Sequence, residues 1–340
     1  MSKRLTIRDI ANMAEVSPTV VSFVINGKDG VNRHTRERVL EVIKKTGFTP
    51  NISSRRLTMK KSFNIGIAFT PEVSPFSNLF FFEVAQGVLD KSKDYGYNIV
   101  FTGMEKVNNK YHLPDIVEKG DTDGIVFLMT VDKAVLDALA ERNIPAVLVD
   151  YHGPTLSVPC VKVNYERAAY VATRHLIEQG HRDIAFLSQN GVPNFYNQVF
   201  TGFRKALEAS DIMIPLHWIC SANDEAQTIS ALNSIIAGKK PPTAIFCSID
   251  NLAIEAMAYL KTKGFRVPED ISFIGIDDII MSQYMDPPLS SVRIDKWEMG
   301  VQAMELIMRI MEGEKPDDVT ICSDNLILRR SVTAPPTQNR

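Results

Sequence analysis

The 340-residue chain has no cysteines spaced for metal or disulfide chemistry: Cys160, Cys220, Cys247 and Cys322 stand far apart, form no C-x-x-C pair and mostly sit in apolar, strand-like runs. Reduced core thiols are the expected reading. The six histidines show no ligand spacing, so neither a metal nor another cofactor is expected. No apolar run approaches the roughly 20 residues that span a bilayer, and the opening MSKRLTIRDI lacks the apolar core of a signal peptide. A cytoplasmic chain with no membrane partner is the expectation. Catalytic signatures are missing too: there is no P-loop, no G-x-G-x-x-G after a strand and no G-x-S-x-G. Asp277 and Asp278 are adjacent on one loop and make no convergent acid/base pair. Asp121-Thr122-Asp123-Gly124 lacks the remaining ligands of a calcium loop and reads as the turn into a strand. An enzyme is therefore not expected.

What is present is an uneven charge. Residues 1–61 hold 13 Lys+Arg against 5 Asp+Glu, a net of +8, while the rest holds 25 against 35, a net of −10, behind a formal −2 for the whole. A basic head on an acidic body suits nucleic acid, because phosphate neutralisation and counterion release supply much of the affinity. A merely soluble charged terminus would explain the charge but not the apolar periodicity that the same residues carry.

That periodicity is helical. Thr6 can cap a helix whose Ile7, Ile10, Ala11 and Ala14 fall on one face, with Asp9 in the first turn. After a break at Glu15 and Val16, Ser17 is a good cap and Pro18 a good first residue. The second helix buries Val21, Val24 and Ile25, leaves Thr19, Ser22 and Phe23 outside, and stops at Asn26-Gly27. Two short helices and a tight turn are the layout of a helix-turn-helix, although a plain helical hairpin in a core has the same pattern. A third helix runs from the cap Asn32 to Gly47, with Val39, Val42 and Ile43 inside, Phe48 covering them, and Arg33, Arg36 and Arg38 outside. Thr49-Pro50 ends the head.

The segments TIRDIANMAEVSPTVVSFVING, VNRHTRERVLEVIKKTGFTPN and RRL, followed by TDGIVF, IEQGHRDIAFLS, TGFRKAL, DISFIGIDD and PPLSSV, together resemble the LacI family of bacterial transcription regulators over nearly the whole chain. The resemblance implies an N-terminal all-α helix-turn-helix head plus an α/β two-lobed periplasmic-binding-protein-like body. It implies a homodimer on double-stranded operator DNA, controlled by a small-molecule effector, and DNA contacts from Thr6, Ser17, Pro18, Thr19, Ser22, Phe23, Asn26, Thr35 and Arg36. NISSRRLTMKK is polar, basic and too short of apolar residues to be a stable isolated helix. By resemblance it is a hinge at 51–61 that folds on DNA, opened by Asn51, with Ser54 among its DNA contacts, Arg55 and Arg56 offering cations to the backbone and Leu57 wedged between base pairs in the minor groove.

From Asn64 onward, apolar runs at Ile65–Phe69, Ile99–Phe101, Ile125–Met129, Ala146–Val149, Ile184–Leu187, Trp218–Cys220, Ala244–Cys247 and Phe273–Ile276 alternate with helical stretches. The helical stretches are Glu83–Asp94, Glu166–Glu178, Asn197–Glu208 and Leu252–Lys263. The runs are mostly continuous, as buried parallel strands are, and the 45% hydrophobic content can fill two doubly wound lobes. The resemblance sets three crossings, near Asn164, Ser291 and Ser323, and returns helix Lys296–Met311 to the first lobe. The lobes are then 62–163 with 292–322 and 164–291 with 323–334, after a DNA-binding domain at 1–50 and before a disordered tail at 335–340.

Effector contacts are expected at strand ends. Asp150 with Tyr151, and Asp277 with Asp278, follow apolar strands, and Asp150 and Asp277 match effector positions of relatives, with helix capping the plain alternative for Asp277; Phe80 and Phe81, within the cluster Phe76, Phe80, Phe81 and Phe82, match the side that stacks on ligands. Three positions depart from the family pattern. Val199 replaces a ligand-gripping Arg, Asp224 a stacking aromatic, and Ile249 a polar residue. A bidentate Arg suits a carboxylate or polyol, so the effector is expected to be atypical, or the cleft to answer to a protein partner or to nothing. Phe23 likewise replaces an Arg that can pair with guanine. Transport or catabolism of carbohydrates is the expected regulon; a two-lobed solute receptor without DNA binding is the alternative.

Overall fold

The computed structural model describes residues 5–25, 29–48, 59, 61–108, 110–129, 131–238 and 240–336. Two compact units emerge, Met1–Phe63 and Asn64–Arg340. In the first, helices Ile7–Met13, Pro18–Ile25 and Arg33–Thr46 enclose a core of Ile10, Ala11, Ala14, Val21, Val24, Val39 and Phe48. Thr6 and Asp9 close a reciprocal capping box on the first helix, and Glu15 takes the left-handed conformation, φ 53°, that reverses the chain into the second. Asn32 caps the third helix through the amide of Thr35, and Gly47 ends it at φ 62°. Arg36 is half-buried, unlike the outward position expected of it, whereas Arg33 and Arg38 are exposed as expected.

The second unit holds two six-stranded sheets. One runs Val319–Ile321, Cys160–Val163, Ala146–Val149, Gly124–Leu128, Asn64–Phe69, Asn98–Gly103, all parallel. The other runs Asn325–Ile327, Ser290–Arg293, Ser272–Asp277, Ala244–Cys247, Ile184–Ser188, Ile219–Ser221, antiparallel only at its first pair. The central strands are buried along their length, which is why they read as unbroken apolar runs. The chain passes from one sheet to the other after Val163, after Arg293 and after Ile321. Ser291 itself pairs within the second sheet, so that passage lies at Ile294-Asp295.

Two elements differ from their sequence reading. Helix Leu79–Tyr95 starts before the expected Glu83 and takes in Phe80, Phe81 and Phe82 but not Phe76, because the Asn78 carboxamide oxygen accepts the amides of Phe80 and Phe81. Trp218 is not in a strand but closes a 3-10 turn, Leu216–Trp218, that buries its ring before strand Ile219–Ser221.

Each lobe is tied by a helix pair in backbone contact. Helix Lys296–Met311 crosses Leu79–Tyr95 where a Cβ on Gly300 would lie 2.0 Å from the Val84 carbonyl oxygen, and one on Gly87 2.0 Å from that of Trp297. A backbone oxygen cannot step aside. Gly300→Ala is therefore expected to destabilise the body by about 3 kcal/mol, read as a lowered urea midpoint at unchanged slope.

Candidate functional site

In the head, the second helix presents its residues unequally. Ser17, Pro18 and Thr19 are exposed, whereas Ser22 and Phe23 are half-buried beside the core residues Val21 and Val24. The Ser17 hydroxyl accepts the Val20 amide at 3.3 Å, which leaves its proton for an acceptor such as a phosphate oxygen. Thr6 is placed otherwise: its hydroxyl donates to Asp9 Oδ2 at 2.7 Å and accepts the Asp9 amide at 3.3 Å. Its proton is thus already used within its own helix. Thr35 is half-buried at the start of the third helix, and the outward Arg33 pairs with Glu37 at 2.8 Å. Asn26, Asn51, Ser54, Arg55 and Leu57 lie outside the described residues.

In the body, strand ends of the two sheets turn sharply. Met129, Asp150 and Asp277 close their strands at φ of 64°, 55° and 111°. A non-glycine residue held there is strained, and such positions gather at functional sites. Asp150, after strand Ala146–Val149, accepts the hydroxyl of Tyr165 at 3.0 Å and lies 3.2 Å from His152 Nε2. Tyr165 opens the first helix of the second lobe and is fully buried; burial and the charges of Asp150 and Asp277 push its hydroxyl well above the usual tyrosine range. Phe195 meets Tyr165 edge-on at 4.8 Å and His152 at 5.5 Å, and the Asn194 carboxamide donates to the His152 carbonyl. These contacts join the turn after strand Ala146–Val149 to helices Tyr165–Glu178 and Pro193–Glu208.

The second-lobe wall is acidic. Asp277 is 7% exposed, and its carboxylate accepts no hydrogen bond from any described residue. Burial first, then the charge of Asp250, raise it well above the usual carboxylate range, against the opposing effect of Lys296. Lys296, 2% exposed, donates to the carbonyls of Asp277, Asp278 and Ile294 at 2.6, 3.2 and 3.3 Å and lies 3.6 Å from Glu83. Asp278 forms ion pairs with Arg293 at 2.7 Å and Arg329 at 2.6 Å. Asp250 is fully buried at the start of helix Asp250–Thr262, accepting Ser282 and Ser291 hydroxyls at 2.6 Å each and the Ile279 amide at 3.0 Å. Burial lifts it to about 7.

The other sequence-derived positions are spread. Val199 is fully buried within helix Pro193–Glu208, Ile249 packs on the second-lobe core, and Asp224 caps helix Glu225–Ile235 through the Gln227 amide at 2.8 Å. Phe80 and Phe81 are buried and meet edge-on at 5.1 Å, while Tyr151 packs on the first-lobe core. His152, Tyr165, Phe195, Lys296 and Glu83 were not among the sequence candidates. Their only advance signal is that His152 and Tyr165 flank the strand end and the first crossing. Among the described residues no three His, Cys, Asp or Glu side chains gather as a metal would require, and no helix is long and apolar enough to cross a membrane.

Comparison with known proteins agrees with both units. Residues 6–51 match the model for bacterial regulatory proteins of the lacI family, and residues 173–332 the periplasmic binding protein-like domain. The HTH-type transcriptional repressor PurR of Photobacterium profundum is 32% identical, covering 96% of this chain and 98% of its own. The ribose operon repressor of Haemophilus influenzae is 29% identical over 96% and 98%. A crystal structure of the lac repressor dimer bound to operator and an anti-inducer matches in fold with a TM-score of 0.77 at 23% identity, covering 98% of this chain and all of the other.

Proposed function

Since the chain belongs to the LacI family of bacterial regulatory proteins, and is thereby a DNA-binding transcriptional regulator rather than an enzyme, we propose that it represses transcription as a homodimer on a near-palindromic operator. The observation that carries this reading is the head: a capping box, a left-handed turn and a common core hold two short helices in the one arrangement that presents Ser17, Pro18 and Thr19 together. In this reading 1–50 bind DNA and 51–61 form the hinge, with Asn51, Ser54, Arg55 and Leu57 at the centre of the site. The lobes, 62–163 with 292–322 and 164–291 with 323–334, hold an effector between Asp150 and Asp277. Effector binding shifts the balance between DNA-competent and DNA-incompetent arrangements of the hinge. A relative that bears the name ribose operon repressor supports control of genes for carbohydrate uptake or catabolism.

Selection of bound fragments from genomic DNA with the full-length protein, at stated salt, tests the reading. Enrichment of a two-fold symmetric site is expected; a protein that stays folded yet enriches none contradicts it. The recovered half-site carries a further expectation. Phe23 offers a ring edge to a thymine methyl and no donor to guanine, so the base pair it faces should be A·T. Phe23→Arg should move that step toward G·C, by about 1–3 kcal/mol in relative affinity, when the selection is repeated.

A further inference from the structure

A cavity of about 520 Å³ lies at the second passage between the sheets, within the size range of small-molecule sites. One wall is the start of helix Leu79–Tyr95, which follows strand Asn64–Phe69 of the first sheet. Another is the segment after strand Ser272–Asp277 of the second, and residues 293–296 of the passage complete the lining with Arg329. Neither Asp150 nor Asp277 lines it. Its charges balance: the cations Arg293, Lys296 and Arg329 meet the carboxylates Glu83, Asp278 and Asp295. Most of them are committed. Asp278, its side chain 3% exposed, lies 2.7 Å from Arg293 Nε and 2.6 Å from Arg329 Nη2, and Lys296 has its protons on three backbone carbonyls. Two groups keep capacity. Arg293 uses only Nε, so both terminal nitrogens of its fork lack a partner among the described residues. The Glu83 carboxylate accepts no hydrogen bond from any described residue, and Lys296 stands 3.6 Å away. An anion alone would answer Arg293 but enter beside three carboxylates, and a cation alone would answer Glu83 but enter beside three cations. A molecule that carries both charges satisfies each group and adds no net charge. Beside them Leu79, Phe82 and Ile280 give the same cavity an apolar side.

We propose that this cavity binds an apolar amino acid as its zwitterion, the carboxylate taken by the terminal nitrogens of Arg293, the ammonium by Glu83, and the side chain by Leu79, Phe82 and Ile280. Arg293 closes strand Ser290–Arg293 of the second sheet, whereas Glu83 stands on a helix that packs with the first, so one bound molecule ties the two halves of the body together. The site makes no use of DNA binding, and calorimetry decides it whatever genomic fragments the protein retains.

Titration of the full-length protein with L-leucine and L-phenylalanine tests it. Each is set against the same skeleton without its ammonium, 4-methylpentanoate or 3-phenylpropanoate, and without its carboxylate, 3-methylbutylamine or 2-phenylethylamine. At least one amino acid should bind saturably, at one molecule per chain and at least tenfold tighter than both of its truncated partners, and should raise the melting temperature of the body. Glu83→Gln keeps the volume and removes the charge. Arg293→Lys keeps a cation beside Asp278 and removes the fork. Each variant should bind that amino acid at least tenfold more weakly. The Arg293 side chain is half exposed, so Arg293→Lys folds and decides the matter even where Glu83→Gln does not. The proposal is overturned if neither amino acid binds, if a truncated partner binds as tightly as its parent, or if either folded variant binds the amino acid unchanged.

Discussion

Asp250→Ala should lower the stability of the body by about 3 kcal/mol or more, because it strips the shared acceptor from three buried donors at once. The hydroxyls of Ser282 and Ser291 and the amide of Ile279 all end on this carboxylate. Strand residue Gly275 makes room for it: a Cβ there would lie 2.2 Å from Asp250 Oδ1. Asp250→Asn keeps the volume and the acceptor for Ser282 and Ile279 but sets an N–H against Ser291, so a loss of about 1 kcal/mol is expected. The pH dependence follows from the raised carboxyl. Its ordinary value is 3.8 and its value in the folded protein about 7. Between these the folded state holds a proton that the unfolded chain has released, so stability falls as pH rises from about 4 to about 7 and then levels. Urea midpoints at pH 5 and pH 8 should differ for the wild type and draw together in Asp250→Asn. Asp277, shifted in the same direction, leaves a residual slope. A wild-type midpoint that rises across this range would show that Asp250 is ionised in the fold and held by its hydrogen bonds.

Much of the architecture was legible because it rests on local chemistry. Thr6, Asn32 and Gly47 end helices through contacts within four residues, and strands Ala146–Val149 and Ala244–Cys247 have their expected bounds because both faces are buried. Helix Lys296–Met311 likewise has the expected bounds, with Asp295 capping it. The start of helix Leu79–Tyr95 was missed because three consecutive Phe residues mask the cap of Asn78 with a strand-like run. Trp218 was misplaced for a related reason: a 3-10 turn has too few residues to show a period.

The cleft was legible only in part. Asp150 and Asp277 follow apolar strands and could be marked as strand ends, but their partners come from far along the chain. Tyr165 is 15 residues from Asp150, and Lys296 reaches the Asp277 carbonyl over 19. No spacing rule links such residues. The buried Lys296 also inverts the usual expectation for a charge at the start of a helix, and only the three carbonyls that surround it explain its place.

Val21→Asp should abolish operator binding while leaving the melting of the body unchanged. Val21 is fully buried in a small head core of seven buried side chains, with seven partly buried ones packed against them. Cores of this size supply only about 3–5 kcal/mol. An aspartate buried there without a partner costs several kcal/mol, enough to unfold the head. The body has cores of its own around Phe127 and Phe273 and belongs to a separate compact unit, so it has no reason to follow. Loss of the folded recognition helix takes specific affinity down to the non-specific level, a drop of at least about 10³ at physiological salt. Val21→Ala, a smaller cut of about 1–2 kcal/mol, should leave the head folded and binding within about tenfold of the wild type. A shift assay on the selected operator, paired with calorimetric melting of each variant, reads both effects. If Val21→Asp holds DNA within tenfold of the wild type, the packing of the second helix on this core is not what presents the reading residues, and specificity must come from the segment that follows the head.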